Sequence, residues 1–472
     1  MLGERKTQQQ EGYEIVLLDE LVPQDHLLRK ISRAVDFSFI HDLCKDLYCP
    51  DNGRPAIPPE TLFKMLLLGY LYGIKSEVKL AEMVNENIAF KWFLGLRLTE
   101  KGPNHATISI NRARRFREND IAERIFDEIL HQCCRKGLVG GEVLYTDSTH
   151  IKAKANKHKK LLVNVEKTPR EYLERLDAQV DLDREVLGKR PFERDDEDKG
   201  DDGSGGTRDR TRMQSTTDPD SGQLSKEGKP DGFHYSEHRT VDSRCNVIVN
   251  VDITAANIHD TTPLPGLLRQ IEHRLGKLPD YMGLDAGYHN AATARILEEA
   301  GIQDVIGYRR HTYKTPYFGK WRFHYDAEYD HYICPQRQRL YWKTTNREGY
   351  REYYSDRKTC AQCPVKAQCM AATASRRQIT RHVWQDTLDA CDEFVKTPQG
   401  RRLYERRKET VERSFGEAKE NHCLRYALML GRQNTREQSF LTATVQNIKR
   451  LVRAFLSCFY SLTDHGLSAL TY

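Results

Sequence analysis

The pattern of apolar and polar positions changes texture twice along the chain. Over residues 14–130 apolar positions recur at helical spacing. PPETLFKMLLLGYLYG opens on Pro58-Pro59, where a proline in the first turn costs nothing, and predicts a buried helix through Tyr72. KSEVKLAEMVNENIAFKWFLG predicts a helix from a cap at Ser76 to Gly95, with Leu80, Val84, Ile88 and Phe93 inside. NHATISINRARRFREN predicts another, ending in Arg112, Arg114, Arg115 and Arg117. Near residue 141 short β-prone runs begin. Val143, Leu144 and Tyr145 predict a central strand that ends at Asp147, flanked by Thr146, Ser148 and Thr149. Runs at about 233–241 and 246–254 predict a hairpin turning at Asp242–Ser243. A helix at about 261–275 follows, then a strand Tyr281–Leu284 ending at Asp285, a turn at Gly287, a helix Ala291–Ala300 and a strand in QDVIGYRR at 303–310. After a long insertion, RRLYERRKETVERSFGEAKENH (Arg401–His422) has no Pro and one Gly, and predicts a single amphipathic helix with Val411, Phe415 and Ala418 as its apolar stripe. The tail SFLTATVQNIKRLVRAFLSCF predicts a closing helix with Lys449, Arg450 and Arg453 exposed.

Composition divides the rest. Residues 1–13 read as disordered, 160–188 as a charged helical excursion, and 193–232, with ERDDEDKGDDGSGGTRDR, as low-complexity linker without a fold. The organisation is then a helical domain at 14–130, the first part of an α/β domain at 140–310 with a flexible acidic excursion at 190–232, an insertion at 311–395, and the rest of the α/β domain at 396–460. The net charge of +6 is mildly basic, and the acidic run hides part of it, which tolerates nucleic acid as a partner. No apolar run approaches a membrane span and no signal-peptide core opens the chain, so a cytoplasmic, nucleoid-associated protein without a membrane partner is expected. Twelve cysteines are then expected to be reduced.

Candidate chemistry follows the acids. Glu412 and Lys419, seven residues apart, share a helix face at the border of the apolar stripe. Glu417 and Glu420 lack that relation and read as solvated. Asp147 and Asp285 each end a predicted strand, and a buried strand rarely ends in an uncompensated charge. Asp242, Asp252 and Asp260 are rivals, with Asp242 structural in its turn. Lys152, Lys154 and Lys157 are cations able to meet phosphate. The short helices ending in a basic one fit a helix-turn-helix-like binder of duplex DNA through Arg112, Arg114, Arg115 and Arg117. In the insertion, Cys360 and Cys363 have C-x₂-C spacing, and Cys369 and Cys334 complete a set that a structural zinc ion would suit, with His382 as a substitute ligand. Cys133 and Cys134 read as structural.

The motifs YTDST, GLDAGY and VERSFGEAK, in this order, resemble those of RNase H-like DDE transposases of bacterial insertion sequences. The resemblance covers roughly residues 15–455, including a helical N-terminal domain found in a branch of them. In that family the last motif has a tyrosine and an arginine upstream of the glutamate and a lysine seven residues after it. Lys419 fits. The position seven before Glu412 is Glu405, with Tyr404 beside it, and the position four before is Lys408, with Arg407 beside it. This departure leaves Tyr404 and Arg407 without a carried-over role. The resemblance implies an α/β RNase H-like core with an N-terminal all-α domain and a β-rich, Cys-containing insertion. It implies Asp147, Asp285 and Glu412 as ligands of Mg²⁺ or Mn²⁺, two ions in all, with Lys419 near the scissile phosphate. Its partner would be double-stranded DNA, both element ends and target, met as a homodimer. A nuclease of the same fold that cuts without joining, and a non-catalytic DNA-binding relic, are the alternatives.

Overall fold

The structure is a computed structural model that describes residues 15–49, 56–164, 171–192, 211–225, 231–308 and 316–468. The stretch expected to be disordered, 1–13, lies outside these residues, as does 193–210 of the acidic excursion.

The central sheet is built from β1 (Val143–Lys152), β4 (Gly222–Leu224), β5 (Gly232–Asp242), β6 (Ile248–Ala255), β7 (Tyr281–Leu284) and β8 (Gln303–Ile306), and a separate ribbon pairs β2 (Lys160–Asn164) with β3 (Thr211–Ser215). The order is β4-β5-β1-β7-β8, with β6 also paired to β5. β1, β7 and β8 run parallel, whereas β5 is antiparallel to both β1 and β6. The hairpin forms where its two β-rich runs and their turn predict. Asp242 closes it by accepting from the backbone N–H groups of Gly140, Gly141 and Arg244, a structural use of a buried acid. β3 and β4 fall inside the segment that composition left without a fold. They form because β5 and β2 offer them backbone partners that local composition does not reveal.

The N-terminal segment is helical, with one predicted helix divided. Ser76 caps Glu77–Glu86, but Asn87 then caps a separate helix, Ile88–Leu94, which Gly95 ends at φ +72°. The long helix Arg432–Ser468 packs against helices Leu27–Ala34, Pro59–Leu71 and Ile121–Arg135 and against β6, so one hydrophobic core runs from the N-terminal helices into the sheet. Among the described residues no helix is long and apolar enough to cross a membrane.

The insertion is a second antiparallel sheet of β9 (His324–Asp326), β10 (His331–Ile333), β11 (Arg339–Thr345), β12 (Tyr350–Ser355) and β13 (Gln378–His382), in the order β13-β12-β11-β10-β9. The excursion docks on it through helix Glu171–Val186, where Asp183 accepts a two-pronged pair from Arg351 at 2.7 Å.

Candidate active site

The site forms where the parallel ladder stops. β1 and β7 pair from Val143–Tyr281 to Thr146–Leu284, so Asp147 and Asp285 are the next residues on two adjacent strands. Asp147 does not end its strand as expected. β1 continues to Lys152 because β5 goes on pairing with it, and the acid lies in mid-strand at the edge of the parallel half. Residues two apart share a strand face, so Tyr145 lies on the face of Asp147. Its ring covers Gly283, where an added Cβ would overlap it, and its hydroxyl donates to the Leu403 carbonyl at 2.8 Å. That bond anchors the segment that carries the remaining site residues.

The stretch Arg401–His422 is not one helix. It divides into Pro398–Glu405, a tight turn at Arg406–Glu409, and Val411–Asn421, with Thr410 at φ −108°, ψ −95° between them. Propensity favours a continuous helix, but burial of Arg407 overrides it. The Arg407 side chain is 5% exposed, and its guanidinium lies 2.8 Å from Asp147, 3.3 Å from Asp285 and 3.4 Å from Glu412. Arg407 stands five residues before Glu412, and the break at Thr410 lets both reach the same site. Tyr404 lies beside it, with its hydroxyl 3.3 Å from Arg407 and against Gly307 at the end of β8, where no side chain would fit. Sequence reasoning named both residues but left them without a role, because each stands one place off the expected motif position.

Val411, Phe415 and Ala418 are buried as the stripe predicts, and Arg239 of β5 donates to Ser414 and Gln446, fixing the acid-bearing helix to the sheet and the C-terminal helix. Lys419 donates to the Thr149 hydroxyl, two residues beyond Asp147. Glu417 is not solvated. Although burial raises its pKa, hydrogen bonds from His422 and Lys449 and the charges of Lys449 and Arg450 hold it well below the usual carboxylate range. Lys449 and Arg450 are accordingly drawn into this cluster rather than left exposed.

Burial pushes the Asp147 carboxyl up to about 6 against the pull of Arg407, with Asp285 adding to the rise. Beneath the acids lies Tyr288, fully buried, its hydroxyl without a hydrogen-bond partner and its pKa raised by burial and by Asp260, Asp147 and Asp285. Asp260 and Asp285 both border Gly287, so a fourth acid stands at the same edge, whereas Asp252 pairs across the hairpin with His238. Three carboxylates from three elements suit a hard divalent cation. Among the described residues no three His, Cys, Asp or Glu side chains form a ready metal site, and at the acids Arg407 holds the shared position.

The other predicted residues are elsewhere. Arg112 is not a surface cation. It is 5% exposed and pairs with Glu77 and Glu437, joining the N-terminal helices to the C-terminal one. Arg115 stacks on Tyr48 and Arg117 lies 4.0 Å from Glu437, which leaves Arg114 as the exposed member of the four. Lys152 and Lys154 are exposed, but by alternation Lys152 points from the face opposite Asp147. The four cysteines of the insertion line one cavity, and His382 packs instead on Tyr350 and Trp384.

Two family models match the chain. Residues 16–114 match a transposase domain (DUF772), and residues 333–452 match a transposase DDE domain. The second match takes in the insertion's cysteines, Glu412 and Lys419, while Asp147 and Asp285 lie between the two. No curated protein matches. Both matches are to transposase domains and together support a DDE transposase of an insertion element, a family that generally uses divalent metal ions.

Proposed function

We propose that the chain binds the ends of its insertion sequence and catalyses metal-dependent DNA cleavage and strand transfer, with Asp147, Asp285 and Glu412 as the metal-binding acids. The observation that carries this is the convergence of all three on one guanidinium, from two strand positions and a helix. The strand order, with β5 antiparallel between β6 and β1 and with β7 and β8 parallel beyond, supports an RNase H-like core. Three acids this close repel one another and persist only with a cation, the part Arg407 plays here. Asp147, Asp285 and Glu412 would hold Mg²⁺ or Mn²⁺, as a pair of ions, which would supply activation of water or a 3′-hydroxyl and stabilisation of the leaving oxygen.

Asp147, the most buried of the three, gains most from a cation, since burial disfavours its charged form. Tyr145 and Tyr404 hold the Arg407 segment against the strand ends. Lys419, hydrogen-bonded to Thr149, meets the phosphate beside the scissile bond. DNA is gripped by exposed cations, Arg114, Lys152 and Lys154 among them, and two copies of the chain act together on the element's ends in the cytoplasm. Incubation of the protein with pre-cut element ends, target DNA and Mg²⁺ tests this reading. Joined products are expected, and cutting of intact ends without any joining would make the chain a nuclease instead.

A further inference from the structure

The insertion holds chemistry that the acid site does not use. Cys334 follows β10, Cys360 lies in the short helix Arg357–Ala361, Cys363 follows it, and Cys369 ends the helix Lys366–Cys369. These separate pieces of chain bring all four side chains to the wall of a single cavity of about 310 Å³. The cysteines are free thiols, so no disulfide accounts for the convergence.

The cavity surrounds the sulfurs with polar donors and cations. After Cys334 the chain turns through Arg337 at φ +56°, and the turn aims the Gln338 N–H at the Cys334 sulfur, 3.4 Å away. The Cys334 N–H in turn donates to the Gln338 carbonyl at 2.8 Å, which closes the loop beneath the sulfur. Arg337, Arg339 and Arg377 also line the cavity, and the Nε of Arg377 is buried there without a hydrogen-bond partner.

The module also lacks an ordinary means of holding itself together. Besides Cys369, its buried core is Phe323, Tyr332, Leu340, Tyr353, Met370 and Ile379, shared among five strands and two short helices. A core of that size calls for a staple.

We propose that Cys334, Cys360, Cys363 and Cys369 hold a thiolate-ligated metal centre that fixes the fold of the insertion. Each thiol gives up its proton to solvent on binding, and the arginines offset the negative charge that remains. Two forms of soft-metal centre share this chemistry. A single zinc ion draws the sulfurs inward to ~2.3 Å from the metal. A four-iron cluster is also held by four thiolates. In either form all four protein positions are taken, so the centre is a scaffold. The inference stands apart from the acid site and does not depend on the transposition reading.

The test is metal and sulfide analysis of the full chain purified without chelator, in air and under anaerobic conditions. The expected result is about one zinc per chain, or about four iron with matching acid-labile sulfide and a broad visible absorption. Cys363→Ser and Cys369→Ser should lose the metal, while Cys245→Ser, at an exposed cysteine outside the module, should keep it. Because the serine variants can fail to fold, the unmodified protein is also digested with and without chelator, and removal of the metal should open cleavage within 316–384. Folded protein that holds less than about a tenth of an equivalent of either metal overturns the proposal. A digestion pattern indifferent to chelation overturns it as well.

Discussion

Arg407 and Asp147, 260 residues apart in the chain, form an ion pair at 2.8 Å, and the same guanidinium reaches Asp285 and Glu412. An internal cation therefore stands where the acids would share a metal ion. Arg407→Ala leaves three carboxylates uncompensated, and in chelator the variant should lose on the order of 3 kcal/mol of stability. Mg²⁺ or Mn²⁺ should then raise its melting temperature more than that of the unmodified protein, in which the ion competes with Arg407. Equal shifts in the two proteins would show that Arg407 and the metal do not share a site.

The four arginines after Asn111 should separate into two roles. Arg112→Ala breaks a buried pair with Glu77 and Glu437 and should cost on the order of 3 kcal/mol in denaturant unfolding. Arg114→Ala should leave stability within about 0.5 kcal/mol. It should also reduce the log–log salt slope of duplex binding by about 0.9, one phosphate contact. The reverse assignment would remove this surface from the DNA contacts.

Much of this arrangement was legible in the sequence. The hairpin and the strand at Tyr281–Leu284 followed from short β-prone runs bounded by turns, and Val411, Phe415 and Ala418 from helical period, because each pattern is local and its burial demand is strong. What was not legible depends on distant partners. Asp147 lies in mid-strand because β5 extends the pairing, and the Arg401–His422 helix breaks because acids more than a hundred residues away draw Arg407 inward. Arg112 read as a surface cation for the same reason, since Glu437 is 325 residues further on. Glu417 likewise looked solvated until the C-terminal helix supplied Lys449 and Arg450.

Gly283 is a packing requirement rather than a flexible joint. Gly283→Ala places a methyl group into the Tyr145 ring and should destabilise by about 1–3 kcal/mol, read as a lower denaturant midpoint. Because Tyr145 also holds Leu403, cleavage activity should fall in the still-folded variant. A midpoint unchanged from the unmodified protein would contradict the close approach.

Glu417 supplies a pH-dependent prediction. Its folded pKa is depressed, so its contribution is fully present above the ordinary glutamate range and is lost as pH falls through the folded value. Glu417→Gln should therefore cost on the order of 3 kcal/mol at neutral pH. The gap between the two proteins should narrow progressively as pH falls from the ordinary glutamate range toward the folded value, as measured by chemical denaturation across pH. A constant gap would mean that packing, not charge, is what the variant removes.

The most direct measurement is Mg²⁺-dependent cleavage of element-end DNA by Asp147→Asn, Asp285→Asn and Glu412→Gln, with Asp260→Asn alongside and end binding measured in parallel. Loss of cleavage in each of the first three, with binding nearly intact and Asp260→Asn still active, is the predicted result. Normal cutting by any one of the three, or loss of cutting in Asp260→Asn alone, would contradict the assignment.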